Sequence, residues 1–85
     1  MRLDKWLKTS RLIKRRTLAK EACDGGRVQI NGRVAKPGSE VEAGDRLTVH
    51  FGNRTLEVEV LSTPDNIKAA QAGDCFRVLT DSAAG

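Results

Sequence analysis

The chain has 85 residues, 31% of them charged, with a net charge of +4 and no long apolar run. A chain of this size buries only about 60–65% of its unfolded surface, so it has a thin core and little room for a deep substrate cavity. The same composition predicts neither a signal peptide nor a membrane span, and the expectation is a cytoplasmic protein with no membrane association.

The charge is unevenly placed. Residues 1–36 hold eleven Lys and Arg against three acids, a net +8, and the remainder holds four against eight, a net −4. Such an asymmetry points to a polyanionic partner, either a nucleic acid or an anionic membrane surface. The two cysteines, Cys23 and Cys75, read as reduced, and Cys23 reads as a small buried residue on a helix face. With His50 as the one histidine, the chain offers too few ligands for a zinc site, and no cofactor is expected.

Leu3, Trp6 and Leu7 fall at i, i+3 and i+4, which predicts a first helix with one apolar face. Asp4 sits in its first turn, where a carboxylate favours the helix dipole, or acts as a partner orienting a neighbouring arginine. Thr9-Ser10 is a plausible break, and Leu12-Ile13 would plug the corner. A second helix is predicted over about Lys14 to Cys23, with Leu18 and Ala22 on one stripe and Ala19 and Cys23 on another, ended by Gly25-Gly26.

The period then changes to two. Val28 and Ile30 lead into Asn31-Gly32, a strong hairpin signal, and Arg33–Lys36 returns as a short strand stopped by Pro37-Gly38. Leu47, Val49 and Phe51 alternate with polar residues, Gly52-Asn53 turns the chain, and Leu56, Val58 and Val60 face inward. His50 falls on the polar face without an evident partner. Thr63-Pro64 reads as a cap and first residue of a short helix ending near Gly73, followed by a strand at Phe76 and Val78 and a loose tail over residues 82–85.

The informative cluster is cationic. Arg11, Lys14, Arg15 and Arg16 surround the turn into the second helix, and Arg2 begins the first. Interspersed acids that would normally balance a solvated surface are missing there, and phosphates supply the counter-charge that guanidinium forks match. Aromatic stacking is not the mode, because Trp6, Phe51 and Phe76 all fall on apolar faces. Recognition of folded RNA by charge and shape remains, with no catalytic constellation and hence no enzyme.

Met1-Arg-Leu-Asp-Lys-Trp-Leu7, Ser10-Arg-Leu12, Lys14-Arg-Arg-Thr-Leu-Ala19, Gly26-Arg-Val28, Ile30-Asn-Gly32, Lys36-Pro37 and Val41 through Val49 occur in order at the spacing of one family. Over roughly residues 1–51 the chain resembles the S4 RNA-binding domain. Leu3, Leu7, Leu12, Leu18, Ala19, Val28 and Ile30 match its core positions. The resemblance implies an α+β fold: two N-terminal helices packed on a small twisted antiparallel sheet, with a short C-terminal helix or loop. The chain would be a single domain over 1–85, with the S4 motif at 1–51 and an extension of strand and helix at 52–81.

No catalytic domain is expected after the motif, and the chain resembles the stand-alone RqcP type of Gram-positive bacteria and, more distantly, the fifteen-kilodalton heat-shock proteins. That type implies binding to large ribosomal subunits carrying a stalled peptidyl-tRNA, through large-subunit rRNA and the tRNA. It also implies cooperation with an RqcH-type tail-adding factor that extends the nascent chain with alanine. The arginines that contact RNA in that type map onto Arg2 and Arg16, and Arg11, Lys14 and Arg15 fit the same surface. Lys20, Arg27 and Asn31 complete the candidate RNA-contacting set, and a monomer is expected. A second reading is an accessory subunit guiding an rRNA-modifying enzyme. The anionic-membrane reading is weaker, since the apolar face it needs is used in the core.

Overall fold

The computed structural model describes residues 1–64 and 74–83. Two helices, α1 (Leu3–Thr9) and α2 (Arg16–Asp24), precede five strands: β1 (Val28–Ile30), β2 (Arg33–Val34), β3 (Arg46–Phe51), β4 (Arg54–Val60) and β5 (Phe76–Ala83). The strands form one antiparallel sheet in the order β2-β1-β3-β4-β5. The helices pack on one face of it. This is the α+β arrangement that the periodicities and the S4 resemblance imply.

The apolar face of α1 is fully buried: Leu3, Trp6 and Leu7 have no exposed surface. Trp6 reaches furthest, donating its indole N–H to the Ser62 carbonyl at 2.9 Å and meeting Phe76 edge-on at 6.3 Å between ring centroids. The first amides of α1 do not wait for a ligand. Leu3 N–H donates to the Ser39 carbonyl and Asp4 N–H to the Pro37 carbonyl, so the loop before β3 seals this helix start. Ser10 ends α1, its buried hydroxyl donating to the Leu7 carbonyl at 3.2 Å. Arg11 then takes a left-handed conformation at φ +65, which turns the chain sharply and drops Ile13 into the core.

In α2 only one of the two sequence stripes is buried. Ala19 and Cys23 face inward, whereas Leu18, matched above to a core position, is 48% exposed. The physical reason is width: the small Ala19 and Cys23 let α2 lie close against the core, and that rotation carries Leu18 to the outer flank. Burial pushes the Cys23 thiol up to about 11, with the Asp4 and Asp24 carboxylates adding to the effect, so it stays a neutral core group. Beyond α2, Gly26 adopts φ +73, and Asn31 (φ +51) with Gly32 (φ +84) forms the tight β1–β2 turn that the dipeptide predicts.

Val28, Leu47, Val49, Val58 and Val60 face the helices with no exposed surface. On the opposite face His50 has a partner after all: its Nδ1 lies 3.1 Å from the Thr55 hydroxyl, directly across the β3–β4 ladder. The composition of residues 82–85 predicts a loose tail. Ser82 and Ala83 instead extend β5, where they pair with Thr55 and Arg54. Ladder pairing with a seven-residue β4 outweighs their weak strand propensity. The short helix predicted to end near Gly73 falls almost wholly on residues 65–73, outside the described residues.

Candidate nucleic-acid interface

The site is built where the start of α2 meets the start of α1. Asp4 is 3% exposed, wedged between the two helices. Its Oδ1 accepts the Lys5 backbone N–H at 2.8 Å. Around the same carboxylate stand two arginines from separate elements. Arg2 lies with Nε 3.3 Å from Oδ1 and Nη2 3.4 Å from Oδ2, and Arg16 donates from Nε to Oδ2 at 3.4 Å. Both arginine side chains are about half exposed, 54% and 50%.

These contacts are long beside the ~2.7–2.9 Å of a tight charge-assisted hydrogen bond. Asp4 therefore aims the two guanidinium groups without consuming them. Two cations against one carboxylate leave the trio with a net positive charge, and donors remain free to face an anion. The sequence reading of Asp4 as an orienting partner is the one that the geometry supports, with the carboxylate shared between two arginines from both helices.

The start of α2 adds to this. Arg15 occupies the N-cap position in an extended conformation, no side chain caps the helix, and no acid lies in its first turn. Lys14, Arg15 and Arg16 are all exposed there. Cations at the positive end of a helix dipole are unfavourable in an isolated protein, and an anion bound among them reverses the sign. Lys20, exposed one turn after Arg16 on the same flank, extends the row along α2. The structure thus brings Arg2, Lys14, Arg15, Arg16 and Lys20 to the start and flank of α2, whereas exposed Arg11 borders a separate hollow with Leu12, Phe51, Arg54, Phe76 and Asp81.

Arg27 and Asn31 stand apart. Arg27 follows the far end of α2, about 13 Å from its start at 1.5 Å per residue, and its guanidinium lies beside Gly25. Asn31 is committed within the protein, donating from Nδ2 to Asp45 at 3.2 Å and accepting the Arg46 N–H at 2.9 Å. Its side chain fastens the β1–β2 turn to the start of β3. The sequence reading also passed over Lys36, exposed and adjacent to the Pro37 carbonyl that holds the α1 start. Its place was hidden because only the long-range α1–loop pairing brings it near Arg2. Among the described residues, no group of three or more His, Cys, Asp or Glu side chains could hold a metal ion, and no helix is long and apolar enough to cross a membrane.

Residues 1–47 match the S4 domain family. The chain is 51% identical over 85 residues to the RQC P-site tRNA stabilizing factor of Bacillus subtilis (strain 168), covering 100% of this chain and 99% of that protein. It is 44% identical over 70 residues to the heat shock protein 15 homolog of Aeromonas salmonicida, covering 82% of this chain and 53% of that one. Among solved structures, the trimeric heat shock protein 15 of Vibrio cholerae superposes with a TM-score of 0.86 at 35% identity, over 93% of this chain and 81% of that one.

Proposed function

The chain belongs to the S4 domain family, and from that premise we propose that it is a non-catalytic, cytoplasmic RNA-binding factor of ribosome-associated quality control. In this reading it docks on large ribosomal subunits that carry a stalled peptidyl-tRNA and steadies that tRNA. It contacts large-subunit rRNA and the tRNA as a monomer, and it supports alanine tailing by an RqcH-type factor. The observation that carries the reading is the pair of half-exposed arginines, Arg2 and Arg16, aimed by the buried Asp4 beside the uncapped, cation-flanked start of α2. The relatives named P-site tRNA stabilizing factors supply the biological setting.

Mechanistically, phosphates of structured RNA replace water at the outward guanidinium donors and at the α2 amides. Register comes from the two arginines held at a fixed spacing by one carboxylate. The net −4 of residues 37–85 keeps the rest of the molecule off the polyanion. The test is co-sedimentation with large subunits from cells in which translation stalls. Arg2→Ala with Arg16→Ala is expected to abolish it while the thermal unfolding transition persists. Full co-sedimentation of the double variant refutes the site, and enrichment with an rRNA-modifying enzyme in place of large subunits refutes the pathway.

A further inference from the structure

A groove of about 340 Å³ runs along the outer flank of α2, between that helix and the β3–β4 turn, and no part of the Asp4 cluster lines it. Its floor is apolar: Ile13, Leu18, Ala22 and Phe51. Glu21 and Arg27 border it, with His50 and Gly52 at the end of β3, and among the described residues neither Glu21 nor Arg27 makes an ion pair. Resting on the RNA-binding reading above, we infer that this groove takes one unpaired nucleotide of the RNA whose phosphates lie at the start of α2.

The argument begins with Leu18. A leucine 48% exposed beside a residue with no exposure at all is ordinary when it stands singly. Here it is continuous with half-buried Phe51 and Ala22, so the flank presents a flat apolar wall with a polar border. A nucleobase has that same anatomy, with two apolar faces and an edge of donors and acceptors. Glu21 can accept from base N–H groups, and Arg27 can donate to ring nitrogens, carbonyls or the nucleotide's phosphate. The volume lies at the small end of the ~300–1,000 Å³ range of small-ligand sites.

Charge decides the class of occupant. Arg15 lies one turn before Leu18 on the same flank, with Lys14 beside it, so a strand following the cations at the α2 start is led directly to the groove. An apolar side chain of a protein partner would gain nothing from Lys14, Arg15 or Arg27 around it. A phosphodiester-linked base uses all three.

The test compares two RNA stems by fluorescence anisotropy, one fully paired and one with a single bulged nucleotide. The full chain is expected to bind the bulged stem about tenfold more tightly, the scale of one base packed on a side-chain platform. Leu18→Gln, neutral and compatible with the helix, is expected to bring that affinity down to the paired-stem value, and Arg27→Ala to lower the preference several-fold. Equal binding of both stems by the unaltered chain overturns the inference, as does a Leu18→Gln protein that keeps the tenfold preference. Failure to bind either stem overturns the RNA-binding reading itself.

Discussion

A carboxylate whose side chain is 4% exposed and which faces two arginines has a consequence that charge counting alone gets wrong. Replacing Asp4 by Asn removes a negative charge from the site, so simple electrostatics calls for tighter RNA binding. If Asp4 instead holds Arg2 and Arg16 in register, its loss returns two long side chains to free rotation. Each then costs ~0.5–1.5 kcal/mol to order on binding. Asp4→Asn is therefore expected to weaken affinity for a structured RNA about tenfold and to lower stability by about 1–2 kcal/mol through the lost charged hydrogen bonds. Anisotropy titration reads the first and denaturant unfolding the second; a gain in affinity would sink the positioning role. Arg11 offers a separate check. At φ +65 an L side chain costs ~1–2 kcal/mol that glycine avoids. Arg11→Gly is accordingly expected to be about 1 kcal/mol more stable than Arg11→Ala, although both remove the same cation and lose RNA affinity equally.

Of the two helices, α1 has its first amides bonded to the loop carbonyls of Pro37 and Ser39, whereas α2 begins without a side-chain cap and with Arg15 in the N-cap position. Arg15 has the extended geometry, φ −126 and ψ 137, that a capping side chain uses. Arg15→Asp supplies both a cap and a charge that suits the dipole. It is expected to raise stability by about 1 kcal/mol and the melting midpoint by about 4–8 °C. RNA binding should fall at the same time, and a variant that gained stability without losing affinity would remove Arg15 from the interface. The same helix shows what the sequence makes legible and what it hides. The spacing of Leu3, Trp6 and Leu7, the Asn31-Gly32 turn and the alternation in β3 and β4 each specify their elements locally, and the cationic run at residues 14–16 is visible at once. Leu18 was not legible, because a nine-residue helix with two candidate stripes is oriented only by what it packs on. The extent of β5 was hidden for a similar reason. Ser82 and Ala83 are strand residues only because Thr55 and Arg54 stand opposite. Asn31 looks like an exposed polar contact until its long-range bonds to Asp45 and Arg46 are seen.

Across the whole molecule, +8 on residues 1–36 faces −4 on the rest, so the protein approaches a polyanion in a preferred orientation. The acidic part is partly neutralised within itself: Asp81 forms a two-point ion pair with Arg54, and Glu59 pairs with Arg77 across the β4–β5 ladder. At the basic end the Met1 ammonium pairs with Glu40, and Asp4 is shared between two half-exposed arginines at 3.3 and 3.4 Å, which leaves their outward donors open. If about four to six cations each neutralise a phosphate, the logarithm of affinity falls against the logarithm of salt with a slope near −4 to −5, and affinity drops about 10²–10³-fold between 50 and 200 mM salt. The double change Arg2→Ala with Arg16→Ala should lower the slope by about two, because two phosphate contacts are lost. Asp4→Asn should leave the slope nearly unaltered, since the same phosphates are still neutralised by less well-ordered side chains. Measuring all three slopes on one RNA separates contact from positioning. A double variant with the parental slope would mean that Arg2 and Arg16 touch no phosphate, and that the cations at Lys14, Arg15 and Lys20 carry the binding instead.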